Sequence, residues 1–156
     1  MSRAFTKDDD TGSAIAEIGE RPVSQHRNLV TPEGLAKIDA EVGSLRAELA
    51  RAEGEHDRER IALMSRDLRY WNARRETAEL SVPDPDSDVV RFGMTVTIED
   101  GDGKKKRWKI VGEDEADAAR GMISHVSPMA AALFGKKVGK MAVVNGRQWE
   151  IVELGV

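Results

Sequence analysis

The sequence predicts an α+β protein: an N-terminal antiparallel coiled-coil helical hairpin followed by an antiparallel β-sheet domain with one helix. Three observations predict it. Two apolar seams of similar length, each with residues three and four apart, lie in residues 30–82 with a short break between them. The Val, Ile, Trp and Phe suited to a sheet collect from Met94 onward. Two hairpin-turn signals, Asp100-Gly101-Asp102-Gly103 and Asn145-Gly146, punctuate that second half.

Composition narrows the function classes. The chain has 156 residues, a third of them charged, and few aromatics, so one domain or a small domain with an appendage is expected. There is no cysteine, which excludes a disulfide framework, a thiol nucleophile and a thiolate metal site. The net charge of −4 argues against a protein that simply coats nucleic acid, although one face can still carry a basic stripe. No apolar run reaches membrane-spanning length and the N-terminus has no apolar signal region, so a cytoplasmic protein with no membrane partner is expected.

Residues 1–29 are polar and acidic, with Asp8-Asp9-Asp10, and read as a disordered head or one draped on the surface. The hairpin occupies residues 30–82. Thr31 is a plausible N-cap, Pro32 suits the first helical position, and Glu33 faces the positive end of the helix dipole. Leu35, Ile38, Val42, Leu45, Leu49 and Ala52 form the first seam. Gly54 breaks it and Asp57 can cap a second helix. Ile61, Met64, Leu68, Trp71, Arg75 and Ala78 form the second seam, in which Arg75 is a flaw that calls for an outward path or an acidic partner on the first helix. At about 1.5 Å per residue the hairpin is roughly 33 Å long, and internal pairing of the two seams predicts a monomer.

Residues 83–89 are a short Pro/Asp linker, and the sheet domain spans 90–156. Its expected strands are Val90–Ile98, Lys106–Val111, a short strand before Ser127, Met141–Val144 and Gln148–Leu154. The helix opens at Ser127-Pro128, where Ser127 can accept from first-turn N–H groups, and ends by Gly135. Met129, Leu133 and Phe134 share its apolar side.

No enzyme site of the chain's own stands out. His26, His56 and His125 are scattered without ligand spacing, and Gly101-Asp102-Gly103 joins two strands and opens no helix, so it cradles no phosphate. Lys104–Arg107 reads as a solvated turn, and the arginines of the hairpin (Arg58 and Arg60 among them) read first as a soluble coiled-coil face. Glu53, Glu55, Asp57 and Glu59 crowd the hairpin tip. Such acids either solvate a turn and cap a helix, or supply oxygen ligands to a hard cation such as Mg²⁺.

The wording of one stretch says more. Val111-Gly112-Glu113-Asp114-Glu115-Ala116-Asp117, Ile123-Ser124, Ser127-Pro128-Met129-Ala130 with Ala132-Leu133, and Gly135-Lys136 with Val138-Gly139 resemble, in order and spacing, the C-terminal domain of the bacterial GreA and GreB transcription factors. The resemblance is strong from about Val90 onward and weaker over residues 30–80. It implies an FKBP-like sheet domain. It implies RNA polymerase as the partner, docked through positions matching Ser127, Pro128 and Met129, with the hairpin in the secondary channel and a basic hairpin patch, here Arg58 and Arg60, facing nascent RNA. It implies no cofactor of the chain's own, only Mg²⁺ shared with the polymerase and held by catalytic acids carried over to Asp57 and Glu59. The tip departs from the family pattern. The family's tip reads Gly-Asp-x-x-Glu-Asn, whereas this chain has His56-Asp57-Arg58-Glu59-Arg60-Ile61. Glu59 is one position early and Arg60 stands where the second acid belongs. The hairpin is also shorter, as in the regulator of nucleoside diphosphate kinase, which resembles Gre proteins and implies polymerase binding without cleavage. Two expectations follow: an elongation factor that stimulates transcript cleavage, or one that occupies the channel without it. A stand-alone prolyl isomerase and a self-associating coiled-coil module are the rivals from other classes.

Overall fold

A computed structural model describes residues 18–156; residues 1–17 of the acidic head lie outside the described part. The described chain forms two compact units. One joins Ala36–Thr77 to the segment ending at Gln25, and the other joins His26–Leu35 to Ala78–Val156.

The hairpin is built from α1 (Pro32–Gly54) and α2 (Arg58–Thr77). Ile38, Val42, Leu45 and Ala52 of α1 are buried, as their seam spacing requires. In α2 the expected seam residues Ile61, Met64, Leu68 and Trp71 are half-buried, and only in the last turn does the seam fall one residue early. Arg74 is buried to 1 % exposure, whereas Arg75 is exposed and pairs with Asp39 of α1. An α-helix advances 3.6 residues per turn, so a face followed for several turns drifts from a strict 3.5 repeat. Residues 18–25 carry no regular structure but are tied to α2. Glu20 pairs with Arg69, and the Arg21 guanidinium stacks 4.0 Å from the Tyr70 ring centroid while reaching Asp67 at 3.5 Å.

The second unit opens with β1 (Leu29–Val30), which pairs in parallel with β2 (Glu79–Leu80). Its main sheet has five strands: β3 (Thr95–Glu99), β4 (Lys105–Val111), β5 (Met122–Ser124), β6 (Met141–Val144) and β7 (Arg147–Gly155), in the order β5-β4-β3-β7-β6. One helix, α3 (Pro128–Leu133), joins Ala130 and Leu133 to the buried Val96, Ile98, Ile110 and Ile151. Register alternation puts Val96, Ile98 and Ile110 inside and Lys105, Arg107 and Lys109 of β4 on the opposite face.

Two expectations are corrected here. The sheet is mixed rather than antiparallel, because β5 runs parallel to β4. Two 3₁₀ turns, Glu113–Glu115 and Ala118–Arg120, fill the connection and return the chain in the same direction. The first strand starts at Thr95, not Val90. Val90 and Phe92 enter the core from irregular backbone, and Gly93, at φ +85°, turns the chain with its N–H bonded to Ile110 O.

Both turns follow their residues. Asn145 and Gly146 take φ of 51° and 75°, the double left-handed geometry a two-residue hairpin needs. At the other turn Asp100 accepts from the N–H groups of Asp102 and Lys104, both at 2.9 Å, and its second oxygen lies 3.8 Å from Arg147. The Lys104 N–H above all, with help from Asp102 and Arg147, holds the Asp100 carboxyl below the usual aspartate range despite its burial. The folded pKa is therefore depressed. Its stabilisation is present above the unfolded value of about 3.9 and is lost as pH falls through the folded one. Asp100→Asn is expected to flatten the acid limb of stability, so that the variant loses less Tm than the parent between about pH 4 and pH 2. Parallel acid slopes in thermal melts of the two proteins would contradict this.

Candidate functional site

The hairpin tip is built by the end of α1 and the start of α2. His56, at φ 53°, reverses the chain, and the Asp57 N–H bonds Ala52 O at 3.0 Å. Asp57 then caps α2, its Oδ1 accepting from the Arg60 N–H at 3.2 Å. The Arg60 side chain folds back over the same turn. Its Nη1 lies 2.7 Å from Glu55 Oε2 and 4.0 Å from Asp57 Oδ2. Arg58 and Glu59 are exposed. The structure thus gathers Glu55, Asp57 and Arg60, and the acid that joins Asp57 in the cluster is Glu55 rather than Glu59. Among the described residues no three His, Asp or Glu side chains converge as metal ligands.

That arrangement does not fit a held Mg²⁺. One Asp57 oxygen accepts from a backbone N–H and the other lies 4.0 Å from the Arg60 guanidinium, a positive charge beside a carboxylate that a Mg²⁺ would need free. Sequence alone reads Arg60 as part of a solvated or RNA-facing surface; the one signal for its place at the tip is spacing, since Asp57 and Arg60 are three apart at a helix start, where side chains meet.

The second group of expected site residues opens α3. Ser127 caps it, accepting from the Ala130 N–H at 3.2 Å, and Pro128 takes the first helical position. Pro128 is exposed and Met129 half-buried. Met129 lines an open cleft of about 400 Å³ with Val144, Asn145, Trp149, Lys106 and Arg147. Trp149 is 4 % exposed and forms an aromatic floor. Lys106 Nζ lies 5.6 Å from its ring centroid and Arg147 Cζ 5.4 Å. An apolar floor under two cations suits a protein segment that carries both apolar and acidic side chains.

A third cluster escaped sequence reading. Glu115, 9 % exposed, accepts from the Thr31 N–H at 3.2 Å, the Thr31 hydroxyl, and the Gly112 N–H at 3.0 Å. Thr31 Oγ1 in turn accepts from the Gly34 N–H at 3.0 Å, capping α1. The carboxylate therefore fixes the first turn of α1 to the turn after β4, across 84 residues of sequence.

Comparison with known proteins fits this layout. The family model described as "Transcription elongation factor, GreA/GreB, C-term" matches residues 84–155. Transcription elongation factor GreB of Xanthomonas axonopodis pv. citri is 36 % identical over 137 residues, covering 75 % of this chain and 82 % of that protein. GreA of Maridesulfovibrio salexigens is 35 % identical over 148 residues, covering 81 % and 91 %. GreA of Bradyrhizobium diazoefficiens is 44 % identical over 97 residues, which covers 62 % of this chain and only 58 % of the relative. With a helical hairpin ahead of the matched sheet unit and full-length relatives at this identity, the chain belongs to the GreA/GreB transcription elongation factor family.

Proposed function

We propose that this protein binds RNA polymerase at its secondary channel, regulates elongation by occupying that channel with the hairpin, and does not stimulate transcript cleavage. Family membership supports the polymerase as partner and a role in elongation. The observation that carries the choice between the two modes is Arg60, paired with Glu55 and lying beside Asp57 at the tip. A tip neutralised in this way offers the polymerase shape and bulk but no second-metal ligand. The protein acts as a monomer, because the apolar residues of α1 that could pair with a second copy are already buried. It has no catalytic centre of its own.

Docking runs through the start of α3 and the cleft beside it. Met129 contributes apolar contact, while Lys106 and Arg147 over Trp149 meet acidic side chains. Met129→Glu would put a carboxylate into this cleft at a half-buried position that packs against the core, so a parent-like thermal melt is required beside the binding measurement. The protein is expected to co-migrate with purified polymerase core on size exclusion, and Met129→Glu to weaken that complex at least tenfold. A parent protein that elutes apart from the polymerase would refute the proposal.

A further inference from the structure

The outer face of the sheet carries a second charged surface, away from the cleft beside α3. Strand alternation sends Trp108 and Ile110 of β4 inward and Lys105, Arg107 and Lys109 outward. The cross-strand partners decide which of these charges are balanced. Lys105 faces Glu99 on β3, whereas Arg107 faces Thr97 and Lys109 faces Thr95. On the other side β5 pairs Met122 with Lys109, and Gly121 precedes it at φ +73°. A Cβ at Gly121 would come within 3.1 Å of Arg107 O, so a glycine there keeps β5 close and leaves space above the strand.

Arg120 closes the far side. Thr95, Arg107, Lys109, Arg120, Gly121 and Met122 together line an open concavity of about 410 Å³ with no acid in its wall. Three carboxylates lie nearby: Asp117, 3.6 Å from Arg120; Glu33, which lines a neighbouring concavity with Lys109; and Glu153 of β7, which pairs with Thr97 on the side of β3 away from Arg107. They temper the patch without filling it.

We propose that this face binds the phosphodiester backbone of single-stranded RNA. Arg107 and Lys109 are alternate residues on one strand, about 6.8 Å apart along it, a spacing close to the phosphate repeat of an extended strand. Arg120 and the Thr95 hydroxyl flank that row. Arg, Lys and Thr side chains are the usual donors to phosphate. An acidic protein partner would want an apolar anchor at the centre of its interface, and this wall offers only the half-buried Met122. There is no aromatic platform here, so binding should be indifferent to base sequence. The face is distinct from Arg58 and Arg60 of the hairpin.

The test is fluorescence anisotropy of a labelled oligouridylate of twelve nucleotides with the full chain. Three phosphate contacts give a slope of log affinity on log salt of about −2 for a single strand, or about a twentyfold loss between 50 and 200 mM salt. The double variant Arg107→Ala/Arg120→Ala should weaken binding and reduce the slope to about −0.7. Both side chains are exposed, so an unchanged circular dichroism spectrum is expected and checks the fold. Lys137→Ala/Lys140→Ala, which removes two exposed charges away from this face, should leave binding as it was. The proposal is overturned if the parent shows no binding at 50 mM salt, if the sheet-face variant binds as the parent does, or if the Lys137/Lys140 variant alone loses binding. It is equally overturned if an acidic peptide of matched charge displaces the RNA at lower concentration. None of these results depends on whether the protein co-migrates with polymerase.

Discussion

Replacing Gly34 with alanine destabilises the protein by about 3 kcal/mol, although glycine to alanine in a helix is ordinarily stabilising by up to about 1 kcal/mol. The reason is Glu115. A Cβ on Gly34 would sit 2.2 Å from the Glu115 Cδ and 2.3 Å from its Oε2, far inside contact distance. The glutamate must swing out. It then abandons the Thr31 N–H, the Thr31 hydroxyl and the Gly112 N–H. Each buried donor left unpaired costs about 1–3 kcal/mol, which outweighs the gain in helix propensity. Thr31 is 2 % exposed, so water does not easily replace the carboxylate.

The same geometry makes the prediction sharp. Glu115→Ala alone should cost a similar amount, because it orphans the same donors. In the Glu115→Ala background, Gly34→Ala meets no carboxyl and should become neutral or stabilising by up to about 1 kcal/mol. A change of sign between backgrounds is the coupling expected of residues that meet in one contact and hydrogen-bond network. Urea denaturation of the four proteins measures it. Additive effects would mean that Gly34 and Glu115 do not meet in solution. A loss of about 3 kcal/mol corresponds to a Tm fall on the order of 15 °C for a unit of this size, so thermal melts would show it as well.

Sequence made the local devices legible and left the distant ones hidden. Ser127-Pro128, Asn145-Gly146 and the Asp57 cap each depend on residues within four positions, and each stands where the pattern places it. The Arg75 pairing with Asp39 was foreseeable from an acid flanking the first seam, but the burial of Arg74 was not, since it follows from helical drift. The parallel course of β5 depends on two 3₁₀ turns that have no strong signature. Glu115 and Thr31 lie 84 residues apart, so no window could pair them. The pattern placed an acid in the turn; only the fold shows what it holds. At the tip the acids were legible as a cluster, and Arg60 was legible as a departure. What sequence could not show was that Arg60 turns back onto Glu55 rather than outward to solvent.

Added to stalled, backtracked polymerase with Mg²⁺, the protein is expected to leave the RNA at its original length, and Asp57→Ala to change nothing in that assay. Two-metal hydrolysis needs its second cation held by anionic oxygens. Here Asp57 keeps one oxygen on the Arg60 N–H, and the Arg60 guanidinium lies 4.0 Å from the other. At about 4 Å a unit positive charge repels a divalent cation by roughly 2 kcal/mol in water, and by more where the polymerase thins the water. That alone weakens a shared Mg²⁺ by about thirtyfold, and replacing the second acid with arginine removes an attraction of the same order. RNA shortened by the parent protein, and no longer shortened by Asp57→Ala, would overturn both this expectation and the non-cleaving mode of action. Arg60→Glu then locates the obstacle. It exchanges the repulsion for a carboxylate at the position where the family pattern has its second acid. Mg²⁺-dependent shortening by Arg60→Glu would place the obstacle in the charge at the tip. Intact RNA, with the variant still bound to polymerase, would place it in the reach of a hairpin whose helices span only 23 and 20 residues.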